Sequence, residues 1–419
     1  MNRDTILQSY SNMSRWMASL SVSKLYAVCL IVSMGLTLTT LIRLELTWVT
    51  TSGRRARPRS LALCPNVLSG MSRGRWVPRN VSLMERQNLD AFVSTVRKQY
   101  KLPVTMQRED GRCGVVSYSS GIRDHSVLRY FRAMCDPSGR NPCCRGTICQ
   151  EGSREECRCP ECYDLRQDVH AELASWETDD PRCGLRVFRG EEACRLLAGS
   201  TLLVAGDSLM RQLYVALLLI LAGNVQDGAL GNDIPDDMRT RCSGMNQFTD
   251  KECRRYIVTD TAVCNGSVKI GFRVRTRAVY VQTFLSDIRT LTSIGRSIVL
   301  VGFGQHDTLS VPFVKSQFLL PVLKYMKSAM LKWPRIIWAS VHAFGVLAFA
   351  QERNATLVRD YNRQISELLT TWGVPVMDTF NMTLGTVSVD GVHYGQGVNM
   401  AKAQLFFNYL FEEKLKFKW

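Results

Sequence analysis

Two short blocks of this 419-residue chain carry side chains that could act together. Gly206-Asp207-Ser208 follows the apolar run Thr201–Ala205 (TLLVA) and immediately precedes Leu209–Ala222, which reads as an apolar helix. A serine there places its hydroxyl at a helix N-terminus, where backbone N–H groups and the helix dipole favour a developing negative charge. It needs a base to become a nucleophile, and taken alone it reads equally well as a helix cap. The second block is Val389-Asp390-Gly391-Val392-His393-Tyr394, before the last helical stretch. One of only five histidines stands there, three residues after an aspartate in a glycine-containing loop. That spacing lets one loop present a base and the carboxylate that orients it, leaving the other ring nitrogen for a serine. Ser208, His393 and Asp390 are therefore the candidate nucleophile, base and orienting carboxylate of an acyl transfer. Asp207 is expected to brace the turn.

Such residues meet only if the chain places them at one edge. Short apolar runs at Thr201–Ala205, Ser297–Val301, Arg335–Val341 and Val374–Met377 suit buried strands. They alternate with helical stretches at Leu209–Ala222, Val314–Leu331, Ala355–Trp372 and Ala401–Leu415. Alternation of this kind implies an α/β fold with a parallel sheet, and open parallel sheets carry their sites at the carboxyl ends of strands. Residues 224–290 are expected to be an insertion between the first two strands. The tryptophans Trp333, Trp338 and Trp372 are read as core, and His342 as structural. His125 and His170 are expected on the surface.

Leu25–Ile42 is uncharged and bracketed by Lys24 and Arg43. Eighteen such residues are roughly the minimum for a membrane span, and no cleavage site of the small-residue type follows. The expected order is a cytosolic tail (1–24), a signal anchor (25–42), a stem (43–63), a cysteine-rich region (64–200) and a catalytic domain (201–419). The basic residues after the span, Arg43, Arg54, Arg55, Arg57 and Arg59, would by themselves hold the large part in the cytosol. Of the 15 cysteines, however, all but Cys29 follow the span. Sequons begin at Asn80, Asn265, Asn354 and Asn381. Cystines and glycans belong to an oxidising lumen. The segment Cys143–Cys162 packs six cysteines into twenty residues and is expected to rely on disulfides more than on a core. Zinc at CRCPEC is the alternative. The net charge of +16 suits acidic glycan partners; nucleic acid is not expected for a luminal chain.

The block LLVAGDSLMRQLY together with D-x-x-H before the last helix resembles the SGNH/GDSL hydrolase superfamily. More narrowly, it resembles the PC-esterase branch, which holds plant trichome-birefringence-like proteins, sialic-acid O-acetyltransferases and neurexophilin-and-PC-esterase-domain proteins. Cys64 followed by Gly74-Arg75-Trp76-Val77-Pro78 resembles the C…G-x-W-V opening of those luminal domains, and VGFGQH (Val301–His306) falls where the family carries its third block. The resemblance covers roughly residues 64–419. It implies a flavodoxin-like parallel sheet between helices, with Ser208 as nucleophile, His393 as base and Asp390 as its partner. It also implies oxyanion help from Ser208 N–H and from the region of Gly302 and Gly304. Many members place an asparagine in the third block; Gln305 and His306 stand there instead, as candidates for oxyanion or substrate contact. Arg211 fits the family's GDS-L-x-R pattern as a substrate contact or an anchor.

The resulting expectation is a Golgi-type, single-pass type II glycan O-acyltransferase, most simply an O-acetyltransferase, working through an acyl-serine. It would need no tightly bound cofactor or metal. The acyl donor, of which acetyl-CoA is one candidate, is not identified by the sequence. A glycan O-acetylesterase and a non-catalytic glycan-binding protein on the same fold are the rivals.

Overall fold

The computed structural model describes residues 64–99, 108–117, 130–133, 135–136, 139–153, 169–345 and 355–417. The expected tail, span and stem, together with His125, Asn354 and the CRCPEC thiols, lie outside these. Among the described residues, no helix is long and apolar enough to cross a membrane.

The centre is a six-stranded sheet. In chain order its parts are β1 (Thr201–Gly206), α1 (Ser208–Ala222), β2 (Asp260–Val263), β3 (Val268–Val274), α2 (Val281–Leu291) and β4 (Ser297–Gly302). A helical run from Val311 to Ser328 follows, then β5 (Arg335–Ala339), α3 (Ala355–Thr371), β6 (Val376–Met377) and α4 (Gln396–Phe417). Across the sheet the order is β6-β5-β4-β1-β3-β2. All pairs are parallel except β2 with β3. The chain leaves β1 on one side, for β2 and β3, and returns on the other, for β4. The carboxyl end of β1 is thus the point where strand order reverses, the place such sheets bind ligands.

Both faces of the sheet are covered at its centre, so β1 and β4 are buried along nearly their whole length rather than alternating. Leu202 and Val204 of β1 and Ile298 and Leu300 of β4 pack with α1 and α4. Leu203 and Ala205, Val299 and Val301 face α2, the 311–328 run and α3. Helix α1 is buried along nearly its whole length. Asp207 caps its start, and Gly223, at φ 64°, ends it in the left-handed conformation that costs glycine little.

Several expectations change. Residues 224–290 are not a simple insertion: β3 pairs with β1 over its full length, from Thr201 beside Lys269 to Gly206 beside Val274. Its polar residues Lys269 and Arg273 break the apolar run, which hid the strand. The region 64–200 is not held by disulfides alone. Cys64, Val67, Leu68, Met71, Trp176, Cys183 and Phe188 join the main core. Gly74–Pro78 pairs antiparallel with Ala174–Thr178. In that pair Trp76 meets Trp176 edge-on at 5.4 Å, and Trp76 Nε1 donates to the Met382 carbonyl at 2.9 Å. By contrast, around 113–149 the buried cluster is cystine, with bridges Cys113–Cys144 and Cys135–Cys149. Cys64–Cys183, Cys194–Cys264 and Cys242–Cys253 are also bridged. Of the three tryptophans read as core, Trp338 is fully buried, whereas Trp333 and Trp372 are only half-buried. His170 is half-buried, not exposed, because the adjacent Val169 bridges Thr386.

Leu217, wholly buried between α1 and the sheet, tests this packing. Leu217→Ala is expected to cost about 2–5 kcal/mol of stability, read as a lower urea midpoint with an unchanged slope.

Candidate active site

The elbow between β1 and α1 is tight. Gly206 runs hard against β4: a Cβ there would collide with the Gly302 carbonyl and the Met210 side chain. On its other side, Arg275 N–H donates to the Gly206 carbonyl at 2.8 Å. Asp207 then caps α1, its Oδ1 accepting the Leu209 N–H at 2.9 Å. Ser208 becomes the first helical residue and is half-buried. Its N–H, in the first turn, has no acceptor within the helix and lies with the positive end of the dipole.

The second loop is built around Asp390. Its Oδ1 accepts the N–H groups of Val392 at 3.0 Å and His393 at 2.8 Å. Its Oδ2 meets His393 Nδ1 at 2.8 Å. Burial pushes the Asp390 carboxyl up, but the His393 ring bond and the two backbone N–H groups outweigh it and hold the carboxyl below its usual range. An ionised carboxylate only accepts, so Nδ1 carries the proton and Nε2 is left to accept. His393 Nε2 lies 2.7 Å from Ser208 Oγ, joining residues 185 apart in sequence. The imidazole is 17% exposed and its carboxylate 8%, so the hydroxyl and the ring can be reached while the orienting group is shielded.

The loop itself is held from several sides. Gly391 N–H donates to Ser388 Oγ at 3.0 Å and Gly345 N–H to the Gly391 carbonyl at 2.9 Å. Val389 N–H donates to the His393 carbonyl at 2.7 Å. The buried Tyr394 hydroxyl reaches the Ala343 and Thr383 carbonyls at 2.7 and 3.0 Å. Glu172, from the cysteine-rich region, accepts the Gly397 N–H at 3.0 Å.

The remaining candidates stand on the exit of β4, next to β1. Gly302 pairs with Gly206 across the two strands. Gly304 passes under the Tyr361 ring, whose nearest atoms would lie 2.7 Å from an added Cβ. Gln305–Asp307 form a 3-10 turn. Gln305 Nε2 is buried without a hydrogen-bond partner, while His306 is exposed and acts electrostatically on Asp207. Arg211 is half-buried one turn into α1. Asn80, Asn265 and Asn381 are exposed. One buried residue, Lys402, escaped sequence reasoning. His342, read as structural for want of a partner, contacts Lys402, and both are buried. A lysine on the same helix stripe as Val398, Leu405 and Phe406 is the signal that could have found it.

No protein-family model matches the chain, and no curated protein matches it by sequence. Among solved structures it is similar to a member of the lipolytic protein G-D-S-L family from Veillonella parvula, at 13% identity, covering 50% of this chain and 97% of that one with a TM-score of 0.30. It is similar to Axe2, an acetylxylan esterase from Geobacillus stearothermophilus, at 14% identity, 52% and 96% coverage and a TM-score of 0.30. An extracellular lipase from Streptomyces rimosus matches at 12% identity, 50% and 98% coverage and a TM-score of 0.27. Likeness at these TM-scores leaves the functional reading to the geometry of the site.

If Asp390 sets the histidine tautomer, Asp390→Asn leaves the fold intact but offers Nδ1 an amide that can donate. Phosphonylation of Ser208 by a fluorophosphonate is expected to slow by about 10⁴-fold, the scale of the same change in serine-protease triads. A loss below tenfold would remove Asp390 from the role.

Proposed function

We propose that this protein is an SGNH-type serine enzyme of the secretory pathway that carries acetyl groups on glycans through an acyl-serine, passing them to a sugar hydroxyl. The observation that carries the reading is the hydrogen-bonded chain Ser208 Oγ, His393 Nε2, His393 Nδ1, Asp390 at the strand-order switch point. In the first half, His393 Nε2 takes the Ser208 proton as Oγ attacks the acyl carbonyl. The oxyanion so formed faces the Ser208 N–H at the start of α1. The carbon–leaving-group bond then breaks, and the leaving group takes the proton from the imidazolium. In the second half, an acceptor hydroxyl gives its proton to His393 and attacks the acyl carbon. Ser208 leaves with that proton, and the acceptor keeps the acyl group.

Cystines and exposed sequons support a luminal site, reached through the expected single N-terminal anchor. A net charge of +16 and exposed Arg277 beside the site's β3 rim support an acidic glycan acceptor. Half-exposed Ser208 favours the second reading, in which water is the acceptor and the protein is a glycan O-acetylesterase. The two differ only in what reaches the acyl-serine first.

The full chain in detergent, with Ser208 intact or as Ser208→Ala, tests the reading with an acetylated phenol or acetyl-CoA as donor, with and without sialylated or neutral glycans. Acetylated glycan formed only by the intact protein is the expected result. Acetate release independent of acceptor would assign it as an esterase. Equal signals from both forms would leave a glycan-binding protein without catalysis.

A further inference from the structure

The chain that leaves β3 crosses the carboxyl end of β1. Val274, the last residue of β3, lies beside Gly206. Arg275 N–H then donates to the Gly206 carbonyl at 2.8 Å. Further on, Ala278 N–H donates to Asp307 Oδ2 at 2.8 Å, in the turn that follows β4. Strands β3 and β4 flank β1 from opposite sides, so residues 275–278 form a strap across the elbow that leads into Ser208. Ala278 pins the strap: it is wholly buried in the cluster that holds Leu203 and Ala205 of β1.

Arg273, Arg275 and Arg277 stand at alternate positions along this segment, and their charges are used differently. Arg273 meets Asp260 at 2.9 Å, and Arg275 meets Asp287 at 2.7 Å. Arg277 is exposed and, among the described residues, makes no ion pair. His306, the residue before Asp307, is exposed as well. The bond from Ala278 to Asp307 therefore brings Arg277 and His306 together, each one residue away from it. Arg277 is also two residues past the contact with Gly206, a span of at most about 7 Å. Ser208 lies two residues past the same contact on the other chain segment. The carboxylates nearby are buried and held by backbone N–H groups: Asp207 by Leu209, Asp307 by Ala278, and Asp390 by Val392 and His393. They leave the guanidinium of Arg277 facing solvent beside the nucleophile. A guanidinium there matches a carboxylate with two parallel donors, and a cleft rimmed by positive charge concentrates anionic substrates.

We propose that Arg277 and His306 form an anion subsite on the rim of the Ser208 site, which takes the carboxylate of an acidic glycan acceptor and selects it over neutral sugars. The inference rests on the glycan reading above and names the part of the site that recognises the charge. A phosphate of the acyl donor has similar chemistry, so the test carries an arm for each source.

Sialyllactose, its carboxyl methyl ester and coenzyme A are each titrated by calorimetry into the full chain in detergent carrying Ser208→Ala. The same titrations are made with Arg277→Gln, Arg277→Lys or His306→Gln added. Sialyllactose is expected to bind about tenfold or more tightly than its ester, the scale of one charge-assisted contact. Arg277→Gln is expected to abolish that difference. Arg277→Lys is expected to keep part of it, because the charge stays while the fork is lost. His306→Gln is expected to reduce it by about threefold, the scale of an exposed charge. In the protein with Ser208 intact, sialyllactose is expected to slow phosphonylation by a fluorophosphonate, which places the bound sugar at the nucleophile. Equal binding of acid and ester, no binding of either, or a difference that survives Arg277→Gln would overturn the proposal. So would coenzyme A binding that needs Arg277 while sialyllactose binding does not, which would give the subsite to the donor. Arg277-dependent binding of sialyllactose without acetylated glycan from the intact protein would uphold the subsite and refute acetyl transfer.

Discussion

The contact between His393 and Ser208 is the constraint around which the rest is arranged. A 2.7 Å separation between side chains 185 residues apart tolerates little error, since a misplacement of about 1 Å can cost a hundredfold in rate. Each partner is therefore built onto a rigid element. Ser208 is the first residue of a helix buried along its length, and His393 sits in a loop tied by backbone bonds to Gly345, Ser388 and its own Asp390. The carboxylate does double duty: one oxygen fixes the loop through two backbone N–H groups, and the other fixes the ring.

Close strand packing supplies the second half of the precision. Gly206 and Gly302 face each other across β1 and β4, where side chains would collide with backbone. Small residues let the elbow sit close against the neighbouring strand's exit, which carries Gly304 and Gln305. On the far side of that turn, the Tyr361 hydroxyl donates to the Phe303 carbonyl at 3.0 Å, so α3 fixes the turn from the opposite layer.

The cysteine-rich region takes part in this support as well. Its strand pair docks on the main core through Trp76 and Trp176, and Glu172 reaches the first turn of α4. Among its described residues, the buried cluster near 113–149 is made of the cystines Cys113–Cys144 and Cys135–Cys149.

Much of this was legible from the residues in order. Strand and helix periodicity located β1, β4, β5 and the helices around them, because apolar spacing reports burial directly. The GDS turn and the D-x-x-H loop were readable because local chemistry demanded those types at short spacing. What the order of residues could not contain was relation across distance. β3 escaped because Lys269 and Arg273 interrupt its apolar run; only pairing with β1 makes that segment a strand. The helix α4 begins at Gln396, five residues before the apolar pattern from Ala401 suggested, since the distant Glu172 accepts the Gly397 N–H of its first turn. Lys402 and His342 gain meaning only from proximity, because a side chain's charge state and partners depend on which distant elements bury it. The sequence by itself determined the reactive groups and the sheet that could carry them. The tertiary structure alone decided that Ser208, His393 and Asp390 lie within hydrogen-bond reach, and which charges stand behind them, because both are properties of packed surfaces and not of neighbours along the chain.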